Sequence, residues 1–357
     1  MITRLPMKPH KLPFLNDYMY ACHPHILKQM AALADTPHTG YGCDELCEAA
    51  REKIRQACCC PEAGVHFLIG GTATNVTAID ALIRSYQGVL AAQSGHINTF
   101  EAGAMESAGH KILPLRPIEG KVMPHILSEW LERDKNDENR DHTVRPGALY
   151  ISQPTEVGTL YSLEELTTLS HICHQAGIRL FVDGARLGYA LASPQCNIDL
   201  PDLARLSDGF YIGGTKLGAL MGEALVFPRP QDVPDFFTQM KRHNNLLAKG
   251  WLLGMQFDVF FTDDLYHQIG RHALDMAQRL RQGIEDMGIP FYTDSPTNLQ
   301  FIILHRDEYH QLRQEADCEI WEELDNDRVA IRLVTSWQTT PDDVDSLIQV
   351  LRDIHQA

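Results

Sequence analysis

The chain has 357 residues, 44% hydrophobic and 22% charged, a composition that supports one large and one small globular domain around a sizeable core. Asp and Glu number 47 against 31 Lys and Arg, a formal charge of −16, which argues against a nucleic-acid backbone or an anionic membrane as partner and points to a small metabolite. Nine scattered cysteines without a CxxC pair fit reduced thiols in the cytoplasm, and neither an apolar signal segment near the start nor a run of about 18 apolar residues marks export or membrane insertion.

In chain order, the first strong periodicity is helical, over residues 45–59, with Leu46, Ala49, Ala50, Ile54 and Ala57 on one face. The run Cys58-Cys59-Cys60 at its end is a poor metal chelate, because adjacent side chains on a helix point in different directions, and it reads as a partly buried helix end. A buried strand follows at 65–69. Gly70 and Gly71 break it, and helical spacing resumes over 72–86 through Val76, Ile79, Leu82 and Ile83. Further apolar runs at 89–92, 112–115, 148–151, 180–182, 210–212 and 224–227 predict strands with helical segments between several of them, hence an α/β layer with a mostly parallel sheet. The charged segment 133–145 mixes both signs without aromatics and reads as a solvated loop. After Gly250 a long helical region runs to Met287. Short strands at 301–304 and 329–334 and a final amphipathic helix over 341–354 then suggest a smaller α+β domain. The expected division is an N-terminal arm (1–15), a large domain (16–250) and a small C-terminal domain (251–357).

Three places in the first layer carry chemistry. Gly70-Gly71-Thr72-Ala73-Thr74-Asn75 lies where a strand turns into a helix, so free backbone N–H groups and the positive end of the helix dipole make an anion site. It lacks the lysine of a P-loop and the spacing of a dinucleotide fingerprint, which favours a phosphate monoester; a purely structural glycine turn reads equally well. Asp183 closes the apolar run Leu180-Phe181-Val182, and a carboxylate at such a strand end needs a partner to stay ionised. A protonated pyridine nitrogen is one; an ion pair with Arg186 or a helix cap are others. Lys216 lies just past a hydrophobic strand in Gly213-Gly214-Thr215-Lys216-Leu217-Gly218, where desolvation lowers an amine's pKa as Schiff-base chemistry requires, although most loop lysines simply reach solvent. Phosphate turn, strand-end Asp and strand-end Lys, in that order, are the minimum set for pyridoxal 5'-phosphate (PLP).

Over nearly its whole length the sequence resembles the L-threonine aldolases of the β-eliminating lyase group, PLP enzymes of fold type I. The likeness is carried by Phe14-Leu15-Asn16-Asp17-Tyr18, Tyr41-Gly42-Cys43-Asp44-Glu45, the Gly71-Thr72-x-x-Asn75 turn and Gly95-His96-Ile97-Asn98-Thr99-Phe100-Glu101-Ala102-Gly103. It continues through Val182-Asp183-Gly184-Ala185-Arg186-Leu187, the Lys216 loop and Ile331-Arg332-Leu333-Val334-Thr335. The resemblance implies that Gly71 and Thr72 bind the phosphate, Asp183 pairs with the pyridine nitrogen, Lys216 forms the imine and His96 stacks on the ring or moves protons. It further implies that Asn16, Arg186 and Arg332 hold the substrate, with Arg186 also at the cofactor. Lys249 falls where relatives reach a neighbouring subunit's phosphate, in a homodimer or homotetramer. Two departures stand out. Glu156, in Gln153-Pro154-Thr155-Glu156-Val157-Gly158, replaces the family histidine that engages the β-hydroxyl; a buried carboxylate also accepts a proton there, with a different charge and reach. Thr215 replaces the serine before the lysine and keeps its hydroxyl. The implied activity is cleavage of the Cα–Cβ bond of a β-hydroxy-α-amino acid to glycine and an aldehyde, with no metal. β-Elimination or transamination by the same cofactor, and a non-catalytic metabolite-binding role for the fold, are the alternatives.

Overall fold

The structure, a computed structural model, describes residues 11–355, so most of the expected N-terminal arm and the last two residues of the chain lie outside the described residues. Seven strands form the principal sheet: β1 (Gly64–Leu68), β2 (Gln87–Ala92), β3 (Ile112–Leu115), β4 (Arg145–Ser152), β5 (Arg179–Asp183), β6 (Gly209–Gly213) and β7 (Glu223–Phe227). Their spatial order is β1-β7-β6-β5-β4-β2-β3. The pairs β3–β2, β2–β4, β4–β5 and β5–β6 are parallel, whereas β7 runs antiparallel to both β6 and β1. All seven strands expected from apolar runs are present. The runs are continuous because helices cover both faces of the sheet: every residue of β6 and β7 is buried, as is Leu180–Asp183 of β5.

The helices differ from expectation mainly at their ends. Helix α1 (Glu45–Ala57) starts at Asp44, whose side chain accepts from the Cys47 N–H, and stops at Ala57 because Cys59 takes a left-handed φ of 49°. Cys58 is buried, Cys59 exposed and Cys60 half-buried, so the three thiols diverge. Helix α2 (Gly71–Leu82) ends four residues early, where Ile83 turns extended. The segment 133–145 is not all loop: the helix Pro124–Lys135 runs into it, a single turn covers Arg140–His142, and β4 begins at Arg145. Sequence charge marked the solvated side of these elements and hid their backbone order.

Beyond residue 250, α3 (Trp251–Phe260) packs on α1, with Gly254 directly against Cys47. The long α4 (Leu265–Asp286) buries Ile269, Ala273, Met276, Leu280 and Ile284 along one stripe. A second, antiparallel sheet has the order β9-β10-β8, from β8 (Leu299–His305), β9 (Glu319–Glu323) and β10 (Arg328–Val334). With α5 (Arg306–Glu315) and α6 (Pro341–His355) it closes a separate core around Phe14, Ile302, Ile331, Leu333 and Leu347. Strand β9 and helix α5 were not anticipated, because β9 carries glutamates without an apolar run and α5 is mostly polar. No helix among the described residues is long and apolar enough to cross a membrane.

What positions the site is one edge of the large sheet. Strands β4, β5 and β6 end there at Ser152, Asp183 and Gly213, and register pairs Ser152 with Asp183. Because β7 runs the other way, its first residue, Glu223, reaches the same edge, opposite both Gly213 and Leu68 at the end of β1. Gly184 lets the chain turn out of this edge: a Cβ there would collide with the backbone carbonyl of Tyr211, which has no freedom to move aside. Gly184→Ala is therefore expected to lower unfolding free energy by at least about 1–3 kcal/mol in chemical denaturation; an unchanged midpoint would contradict this packing.

Candidate active site

A cavity of about 660 Å³ opens on this edge, lined by Gly70, Gly71, Thr72, His96, Ser152, Glu156, Asp183, Arg186, Lys216, Glu223 and Arg332 among others. Seven of the ten residues expected from sequence, Gly71, Thr72, His96, Glu156, Asp183, Arg186 and Lys216, meet here from the large layer, and Arg332 joins them from β10. Asn16 and Lys249 do not line it. The Asn16 carboxamide accepts from the Tyr18 N–H in a local turn, and it is Tyr18 that faces the cavity. Lys249 is exposed to solvent outside the cavity.

Asp183 is the most constrained group. Its Oδ2 accepts from the hydroxyl of Tyr150 (2.5 Å) and from Asn75 Nδ2 (2.9 Å), and its Oδ1 from the hydroxyl of Tyr211 (2.5 Å) and the Ala185 N–H (2.9 Å). Tyr150 and Tyr211 belong to β4 and β6, the two neighbours of β5, so strand pairing itself sets them on either side of the carboxylate. Burial alone would raise the Asp183 carboxyl; the charge of His96 and these hydrogen bonds outweigh burial and hold it below the usual aspartate range. Among the described residues no Lys, Arg or His nitrogen lies within 4.0 Å of it. The expected alternative, a pair with Arg186, is not formed.

Arg186 instead grips Asp17, through Nε (2.7 Å) and Nη2 (3.0 Å), and Asn298 Nδ2 adds a third contact to Asp17 at 3.1 Å. Burial would raise Asp17, but the charges of Arg186 and Lys216 and the hydrogen bonds from Arg186 and Asn298 hold it low. Arg332 contacts Glu319 on β9 and lies over the Trp321 ring, 5.6 Å from its centroid, while its Nε is buried without a hydrogen-bond partner. Burial, and then the like charge of Arg186, pull the Arg332 guanidinium below its ordinary value. Two guanidinium groups facing one cavity with an unsatisfied N–H make a place for an anion.

Lys216 has no hydrogen bond or ion pair from Nζ among the described residues, and burial, then Arg186, push it down to about 8 against Asp17, Asp183 and Glu223. Glu156 Oε1 accepts from the His96 N–H (2.9 Å) and the Ser152 hydroxyl (2.7 Å); burial outweighs both and raises its carboxyl. His96 Nδ1 stands 2.8 Å from Glu101 Oε1, and Asn75 Nδ2 bridges Glu101 (2.8 Å) to Asp183. At the phosphate turn, Gly70 precedes α2 with no side-chain cap, and a Cβ on Gly70 would meet nothing within 4 Å, so the first N–H groups of the helix face open cavity. These features fit PLP: uncapped amides for its phosphate, an ionised carboxylate lacking a cation for its ring nitrogen, and an unpaired amine for its aldehyde.

Sequence reasoning missed Tyr150, Tyr211, Asp17 and Glu223. The tyrosines look like core residues of apolar strands; their signal is position, since Tyr150 lies two residues before the strand-end Ser152 and Tyr211 two before Gly213.

Comparison with known proteins bears on this geometry. The model of the beta-eliminating lyase family matches residues 14–329. A low specificity L-threonine aldolase of Pseudomonas aeruginosa is 29% identical over 352 residues, 98% of each chain. The structure of Leishmania major threonine aldolase superposes with a TM-score of 0.93 at 39% identity, covering 96% of this chain and 99% of that one. An aspartate aminotransferase of Thermus thermophilus shares the fold alone, with a TM-score of 0.70 and 14% identity, over 96% of this chain and 91% of that one.

The buried Asp17–Arg186 pair yields a test. Removing one partner leaves the other uncompensated, so Asp17→Ala should cost about 3–5 kcal/mol at neutral pH. Because the folded pKa of Asp17 lies below the unfolded one, its contribution is present above the ordinary aspartate value and disappears as pH falls through the folded pKa. The difference between variant and wild type in urea denaturation should shrink accordingly in acid; a pH-independent difference would contradict the charge assignment.

Proposed function

The chain belongs to the beta-eliminating lyase family, and from that premise we propose that it is a PLP-dependent aldehyde-lyase cleaving threonine-like β-hydroxy-α-amino acids at Cα–Cβ to glycine and an aldehyde. The observation that carries the reading is the buried, ionised Asp183 without a cation, set in one cavity with the unpaired amine of Lys216. PLP, when bound, supplies the electron sink that accepts the pair released from the broken bond.

The residues have distinct tasks. Backbone N–H groups at Gly71 and Thr72 receive the phosphate, helped by the α2 dipole. Asp183 holds a proton on the ring nitrogen, and Tyr150, Tyr211 and Asn75 keep it from rotating away. Lys216 Nζ is the amine that holds the cofactor covalently. His96, held by Glu101, would stack against the cofactor ring. Arg332, together with Arg186 where Asp17 leaves it free, binds the substrate carboxylate. Glu156 takes the proton from the β-hydroxyl: burial has raised its basicity, while the His96 N–H and Ser152 hydroxyl stabilise its ionised form.

A second copy of the chain belongs to this reading, as a homodimer or homotetramer in the cytoplasm. Tyr18, Ile69, Phe100 and Met221 rim the cavity yet are 54%, 37%, 58% and 37% exposed, an apolar border suited to cover by another subunit.

Two measurements test the proposal. The full chain mixed with PLP should develop a visible absorbance band that borohydride abolishes, absent in Lys216→Ala; no lysine-dependent band would overturn the cofactor assignment. With threonine, glycine and acetaldehyde should form, and Glu156→Gln should lower turnover by roughly 10²–10⁴ with the band intact. Ammonia and a keto acid instead would identify elimination. Since Glu156 acts ionised and its pKa is raised, activity should climb with pH through a midpoint above the ordinary glutamate value, and that limb should vanish in Glu156→Gln.

A further inference from the structure

Glu223, the first residue of β7, has no task in the reaction above, yet it is a carboxylic acid only 3% exposed on the wall that carries Lys216. Its Oε2 accepts the Gly214 N–H at 2.8 Å and its Oε1 the Thr215 hydroxyl at 2.8 Å. Thr215 Oγ1 accepts in turn from the Gly222 N–H at 3.1 Å, and the Thr215 N–H donates to the Gly222 carbonyl at 3.1 Å. The two residues before the lysine are thus fastened to the base of β7 through one carboxyl group.

A neutral side chain would accept those hydrogen bonds without the desolvation cost of a buried acid, so the charge itself calls for a consequence. The groups that face it supply one. Lys216, Glu223, Asp183, Arg186 and Tyr211 line one cavity, where the charges of Arg186, Asp17, Asp183 and Glu223 act on Lys216, those of Lys216 and Asp183 act on Glu223, and the Glu223 charge acts on the phenols of Tyr211 and Tyr266. Asp17 is neutralised by Arg186, and Asp183 is saturated by its own donors. Glu223 acts on Lys216 together with Asp17 and Asp183, and of the three it is the one hydrogen-bonded to both residues that precede the lysine.

We propose that Glu223 is a positioning residue that clamps the lysine loop and, through its charge, raises the pH at which Lys216 Nζ gives up its proton. The significance of the inference rests on the reading of Lys216 as the cofactor-holding amine, but the two groups exist without cofactor. Burial pushes Glu223 up to about 7, against the Gly214 N–H, Thr215 and Lys216, and burial, then Arg186, push Lys216 down to about 8 against Asp17, Asp183 and Glu223.

The test uses the cofactor-free full chain. The rate at which acetic anhydride labels Lys216, read by mass spectrometry of its peptide, should follow a titration with a midpoint near 8 in the wild type. In the near-isosteric Glu223→Gln the midpoint should fall below the wild-type value, because the ammonium form loses one of the three anions that stabilise it. A midpoint that stays put, or rises, overturns the proposal even if thermal stability changes. Should Glu223→Gln fail to fold, Lys216→Met gives the reciprocal reading. The Glu223 carboxyl, followed by isotope-edited infrared spectroscopy, should titrate about one pH unit or more higher than in wild type, and an unchanged titration overturns the proposal. Failure of the cofactor assignment registers separately, as absence of the reducible band, and leaves these midpoints unaffected.

Discussion

The rest of the site depends on keeping one carboxylate ionised inside the protein. Burying an unpaired charge costs several kcal/mol, and Asp183 offsets that cost with hydrogen bonds from both neighbouring strands, from α2 and from its own turn. Each donor is supplied by the fold. Parallel pairing of β4, β5 and β6 brings Tyr150 and Tyr211 to the two oxygens, and the glycine turn after β1 starts α2 where Asn75 reaches the same group. Every hydrogen-bond donor to the carboxylate is neutral, and no Lys, Arg or His nitrogen among the described residues lies within 4.0 Å of it, which leaves it able to pair with a cation from a ligand.

Around that fixed charge, burial acts differently on chemically similar groups. Asp183 and Glu156 are both buried, but the first is held low by multiple donors and the second is raised despite two. Glu223 is raised as well, to about 7, beside a lysine lowered to about 8. Environments that drive like groups apart are how a single cavity holds one permanent anion, one base and one amine of lowered pKa at the same pH. The arginines divide in the same manner: Asp17 occupies most of Arg186, whereas Arg332 keeps a buried N–H without a partner.

Much of this was legible in the amino-acid sequence. Apolar runs marked all seven strands of the large sheet because strands covered on both faces are written as unbroken hydrophobic stretches. The polar residues that follow such a run lie at the edge that carries the candidate site, which is why Asp183 and, a few residues past its strand, Lys216 stood out. What stayed hidden depends on contacts between distant segments. Asp17 and Arg186 are 169 residues apart, and no local pattern links them. Glu223 reaches the loop before the lysine only because β7 reverses direction, and β9, whose Glu319 meets Arg332, has no apolar alternation to announce a strand. Asn16 was drawn to the site by resemblance and serves a local turn instead, while Lys249, expected to reach a neighbouring subunit's phosphate, lies on the surface of this chain.

The central claim, that Asp183 is an anion reserved for a protonated ring nitrogen, is tested most directly by nitrogen-15 magnetic resonance of the full chain loaded with ring-labelled PLP. The account predicts a protonated ring nitrogen at neutral pH in the wild type and its loss in Asp183→Ala. An unprotonated nitrogen in the wild type, or a resonance indifferent to the substitution, would contradict it.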